Sequence, residues 1–121
     1  MATFKVNESF LIALEAAADL TGALKKLVKV DTNGNVALAL ADDKALGVVY
    51  EVPLSANVPY GPATIQFAGI AKVLAGAAVA AGSRVKCDST SRVIEGSTNP
   101  VGIALDSPGA AGVVCTVAMV N

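Results

Sequence analysis

The stretch Leu24-Lys25-Lys26-Leu27-Val28-Lys29-Val30, Asp31-Thr32-Asn33-Gly34-Asn35, Val36-Ala37-Leu38-Ala39-Leu40 decides the fold class. Two apolar runs of strand length flank a polar turn with Asn-Gly at its tip, a strong short-range signal for a β-hairpin. Working outward, Asp42-Asp43-Lys44 reads as a turn and residues 45–52 as a strand interrupted by Gly47. Residues 53–62 hold Pro53, Pro59 and Pro62 and cannot pair as a central strand. Residues 63–74 are apolar and read as two strands bent at Gly69. Residues 83–87, 92–95, 101–105 and 112–120 complete the strand set, with polar turns between them. Upstream, Asn7 is placed to cap a short helix over residues 8–18, with Leu11, Leu14 and Ala18 on one face and Gly22 to stop it.

The pattern repeats. Val28-Lys29-Val30-Asp31 returns as Val85-Lys86-Cys87-Asp88, 57 positions later, and Val36 returns as Val93 at the same spacing. Leu46-Gly47-Val48-Val49 returns as Val101-Gly102-Ile103-Ala104, 55 positions later. The expectation is a mainly β protein: a small compact β-barrel or sandwich built from two similar β units. Residues 1–15 are read as an extended, partly helical N-terminal arm and residues 16–121 as a single domain, with at most one or two short helices.

Composition narrows function. The 121 residues include 23 Ala, 17 Val and 11 Gly, against five aromatics and no Trp. Nine basic and ten acidic residues are scattered, with no basic cluster beyond Lys25-Lys26, so no nucleic-acid partner is expected. His is absent, which removes the usual general base and commonest metal ligand. Ser83, Ser89 and Ser91 have no activating partner, and Asp42, Asp43 and Asp88 lack calcium-loop spacing. No enzymatic activity, cofactor or metal is expected. Cys87 and Cys115 are too few for a disulfide scaffold and read as small apolar residues.

Mean hydropathy is +0.60, high for a protein without a membrane span. The longest uncharged run, residues 52–71, carries three prolines and several polar groups and makes no transmembrane helix. Residues 10–14, flanked by Glu8 and Glu15, make a poor signal peptide. No membrane partner is expected, and the surplus apolar area is expected to be buried against other subunits.

The order of segments resembles a known family. Asp19-Leu20-Thr21-Gly22, Leu27-Val28-Lys29-Val30-Asp31, Asn33-Gly34-Asn35-Val36 and Ala45-Leu46-Gly47-Val48-Val49 are similar to the first half of the tailed-phage capsid cement (decoration, head-stabilising) proteins. Phe67-Ala68-Gly69-Ile70-Ala71-Lys72-Val73, then residues 75–82, 85–88, 101–105 and 109–117, are similar to the second half in the same order. Residues 52–62 are richer in proline than the family pattern. The resemblance implies a protein made in the bacterial host cytoplasm that binds the outer surface of the mature phage head. It implies homotrimers at threefold or quasi-threefold positions, partnered with the major capsid protein and clamping its neighbouring copies.

Within that reading, Thr3, Phe4, Lys5, Val6 and Phe10 are expected to form a capsid anchor, because an extended arm can add a strand to a sheet edge while an aromatic fills a pocket. Pro53, Pro59, Tyr60 and Pro62 are expected to form a subunit-contact loop. Two alternatives stand beside it: another β-rich virion or fibre assembly component, and a lipoyl- or biotinyl-type carrier domain with Lys44 as its modified residue.

Overall fold

The computed structural model describes residues 10–119. Ten strands follow one another: β1 (Leu11–Glu15), β2 (Leu27–Val30), β3 (Val36–Leu38), β4 (Gly47–Glu51), β5 (Pro62–Gln66), β6 (Gly69–Leu74), β7 (Arg84–Cys87), β8 (Val93–Glu95), β9 (Gly102–Ala104) and β10 (Val114–Met119). They form two five-stranded antiparallel sheets, ordered β1-β5-β4-β2-β3 and β6-β10-β9-β7-β8. Adding five to every strand of the first order yields the second, so the repeat seen in the sequence is a duplication of topology. The sheets pack on each other in a sandwich-like arrangement rather than a closed barrel.

Each sheet curls. A single parallel bridge ties the residue after the first strand to the third strand, Ala16 to Val36 in one half and Ala75 to Val93 in the other. The matching hydrogen bonds run from Ala17 N–H to Val36 O and from Gly76 N–H to Val93 O, both 2.8 Å. One core lies inside each curl. Ala16, Leu20, Val28, Val36, Val49, Ala63 and Ile65 fill the first, and Ala75, Val79, Val85, Val93, Ala104, Cys115 and Val117 the second. A tightly curled small sheet leaves room for little beyond Ala and Val, which explains the light composition.

The hairpin turns show why these residues fold as they do. Asp31 Oδ1 accepts the N–H groups of Asn33 and Asn35, and Asp88 Oδ1 those of Thr90 and Arg92. Each turn then needs one left-handed residue to rejoin the ladder. Gly34 supplies it at φ 83° in the first, and Ser91 at φ 66° in the second.

One expectation is overturned. Residues 11–15 are not helical; they form strand β1, paired antiparallel with β5 from Leu11↔Gln66 to Glu15↔Pro62. Leu11 and Leu14 suit a helix only in isolation. In the folded chain the open edge of β5 offers a complete ladder, and tertiary pairing overrides local propensity. The arm therefore gives up residues 11–15 to the first sheet. The other expected strands lie where the alternation put them, and the apolar stretch 63–74 divides at Gly69, which has φ 80°.

Gly47 and Gly102 are equivalent positions at the starts of β4 and β9. A Cβ on Gly47 would lie 2.1 Å from the Gln66 carbonyl oxygen, and one on Gly102 would lie 2.0 Å from that of Ala118. Both obstacles are backbone, so neither can swing aside. Gly47→Ala and Gly102→Ala are each expected to destabilise by about 1–3 kcal/mol, read as a lower urea midpoint. Gly22→Ala, whose Cβ would meet nothing within 4 Å, is expected to leave the midpoint nearly unchanged.

Candidate functional site

The surface feature that stands apart is an apolar groove where the two sheets meet. Leu24, Tyr50 and Ile70 line a cavity of about 420 Å³ with Val48, Val49 and Gln66, and Lys25 and Lys72 at its rim. Leu24 and Tyr50 also line an adjoining cavity of about 640 Å³, with Leu54, Val52 and Pro62. The two form one continuous depression.

Local irregularities build it. The β4–β5 ladder shifts register between Val49 and Glu51, and the bulge leaves Tyr50 on the outside. Lys25 takes φ 64° while its N–H donates to Val49 O, lifting Leu24 clear of the core. Gln66 is buried, and its Nε2 donates to the carbonyls of Ala68 and Ile70, at 3.0 and 2.9 Å. That clamp fixes the bend between β5 and β6 and presents Ile70.

The loop over residues 52–61 projects from the groove's edge. Leu54 is 102% exposed and Val58 77%. The loop is held in shape rather than splayed. Asn57 N–H donates to Ser55 Oγ, Ser55 Oγ donates to Asn57 O, and Gly61 N–H donates to Glu15 Oε2. Large apolar side chains held out in water on a braced loop are characteristic of contact with another protein.

The residues singled out from the sequence are not brought together. Thr3, Phe4, Lys5 and Val6 lie outside the described residues. Phe10 is half-buried, edge-on to Phe67 with ring centroids 6.4 Å apart, and its carbonyl accepts Phe67 N–H. Pro53 is buried, Pro59 and Pro62 are exposed, and Tyr60 packs partly on the first core. Leu24, Tyr50, Leu54, Val58 and Ile70 were not singled out. The register shift that exposes Tyr50 has no local marker, and the proline-rich loop drew notice to its aromatic rather than its aliphatics.

Lys44 lies exposed in the connection between β3 and β4. Those strands both pair with β2 and not with each other, so the connection passes over β2 instead of forming the tip of a hairpin. Among the described residues no group of three or more His, Cys, Asp and Glu could hold a metal ion. Among the described residues no helix is long and apolar enough to cross a membrane.

The titratable groups serve the fold. Asp19 is held below the ordinary carboxylate range by the Thr21 hydroxyl and N–H, Asp43 by Leu40 N–H and Lys29, and Asp106 by Thr116 N–H. Burial, reinforced by nearby carboxylates, pushes the Cys87 thiol up to about 12 and that of Cys115 to about 11. No protein-family model matches the chain, and no curated protein matches it.

A pH profile of stability follows from these shifts. Lowered carboxylates stabilise the fold above their unfolded values, and that contribution is lost as pH falls below about 4. Raised thiols act at the other end. Above about pH 8.5 the unfolded chain releases their protons while the folded chain keeps them, so stability falls toward pH 12. Urea midpoints are expected to be flat between these limits, and both thiols to resist alkylation at pH 8 until the chain is unfolded.

Proposed function

We propose that this protein is a structural capsid decoration protein, a homotrimer that binds the outer surface of a mature phage head. The observation that carries this reading is the apolar groove at Leu24, Tyr50 and Ile70 with the braced Leu54–Val58 projection beside it. It lies on a duplicated β scaffold whose ordered segments resemble the cement proteins. Groove and projection suit a surface that grips another folded protein, with Leu54 and Val58 as inserted side chains.

The mechanism is thermodynamic linkage. A protein that binds the assembled, expanded shell but not its dissociated subunits stabilises the shell by mass action. Copies on adjacent sites share one lattice, so a modest contact repeated many times clamps the shell firmly. Residues 3–6 act as an anchoring arm, adding a strand to an exposed edge of the major capsid protein.

The test is co-sedimentation with matching expanded, undecorated capsids, with cryo-electron microscopy of the pellet. Saturable binding with density over threefold positions is expected; absence of binding would overturn the reading. Leu54→Asp combined with Val58→Asp is expected to weaken binding at least tenfold, about 1.4 kcal/mol, with the urea midpoint unchanged. Deletion of residues 2–9 is expected to weaken binding while leaving the fold intact.

A further inference from the structure

The two halves of the chain are joined by an asymmetric contact. Ser91, at the tip of the β7–β8 turn, enters the open end of the β2–β3 ladder. Its carbonyl accepts Leu27 N–H at 2.8 Å, and its hydroxyl donates to Ala39 O at 2.6 Å. These are the two groups that would otherwise bond to each other across the ladder. Leu27, Ala39 and Val48 of the first half thereby form a socket, packed in one cluster with Ala71, Val73 and Cys87 of the second. Asp42 secures the edge, donating its N–H to Cys87 O and pairing with Lys86 at 2.7 Å.

A two-fold contact between similar halves would show every bond twice, with the roles exchanged. Here the reciprocal bond, Arg84 N–H to Gly34 O, is absent. The contact is therefore head-to-tail, and each half keeps one unused face. In the second half the socket positions are Arg84, Gly96 and Ile103. Gly96 N–H donates to Arg84 O, but Arg84 N–H has no return bond to Gly96 O, the same open ladder end that receives Ser91 in the first half. In the first half the plug is the Asp31 to Asn35 turn with Val30 and Ile12 beside it.

Exposure follows the same division. Val48 is 3% exposed and its counterpart Ile103 37%; Cys87 is 0% and its counterpart Val30 45%; Ala71 is 1% and its counterpart Ile12 41%. In every pair the member at the joint between halves is covered and the other is open. We infer that a second copy of this chain covers them: the Asp31–Asn35 turn of one copy docks into the open β7–β8 ladder end of the next, where Gly34 O accepts Arg84 N–H as Ser91 O accepts Leu27 N–H within each chain, the Ser91 hydroxyl bond having no counterpart at Gly34. Charge agrees, since Arg84 in the socket would face the acidic Asp31 turn, where Leu27 faces the Ser91 turn inside the chain. A head-to-tail contact closes into a ring or runs on as a filament, depending on the rotation per step.

The inference rests on the internal duplication and not on capsid binding, and its test uses the purified full chain alone, so the two readings fail separately. Asn33 and Arg84 are both exposed, so Asn33→Cys and Arg84→Cys are made in separate chains, with the buried native thiols out of reach. Under mild oxidation the mixture is expected to yield a disulfide-linked heterodimer, while each variant alone yields none. Cross-linking of either variant with itself would show a two-fold contact and overturn the inference. Failure of the mixture to cross-link would overturn it too. In sedimentation velocity, Ile103→Asp is expected to shift the wild-type oligomer to monomer without lowering the urea midpoint; an unshifted oligomer would count equally against it.

Discussion

The fold depends on Ser91 completing a ladder that is not its own. Leu27 N–H and Ala39 C=O lie at a buried joint, where an unmade backbone bond would cost about 1–3 kcal/mol per group. One residue satisfies both, with its carbonyl and its hydroxyl. Ser91 does this from a left-handed conformation that its turn shares with Gly34, where glycine has no strain to bear. The hydroxyl at this position is worth the strain because it holds two sheets together. A lone half of about sixty residues would bury too little surface to be more than marginally stable.

Duplication explains most of the remaining irregularities in pairs. Left-handed backbone recurs at Lys25 and Gly82, at Gly34 and Ser91, and at Asp42 and Asn99. In each pair the two residues lie 57 positions apart, and in the first two one member is glycine and the other is not. The conformation belongs to the unit, and side chains were free to diverge wherever a local hydrogen bond could offset the strain. Gly47 and Gly102 did not diverge, because a backbone carbonyl fills the space where any side chain would begin.

Much of this was legible in the sequence. Alternation and turn chemistry located nine of the ten strands, and the recurrence of Val-Lys-Val-Asp and apolar-Gly-apolar revealed the two units. β1 was missed because its evidence is not local: residues 11–15 are strand only because β5 waits with an unpaired edge. The groove was missed for a similar reason. Tyr50 and Leu24 are exposed by a register shift and a left-handed residue, neither of which hydropathy records. A buried Val48 and an exposed Ile103 look alike in a sequence, since their difference lies in what packs against them.

That difference locates the surplus hydropathy. The cores are mostly Ala and Val and are buried within the chain, so their apolar character needs no partner. The excess resides in larger side chains left outside: Leu24, Tyr50, Leu54, Val58 and Ile70 around the groove, Ile12, Val30 and Ile103 on the unused faces, and Leu40, Leu105, Val113 and Val114 elsewhere. They fall into separate surfaces with different logic. The exposed side chains of the groove and its projection take no part in the joint between the halves. The unused faces are equivalent in position to the two faces that meet at the joint within the chain. Scattered exposed aliphatics would be ordinary for a small domain; grouping by duplicated position makes these a pattern.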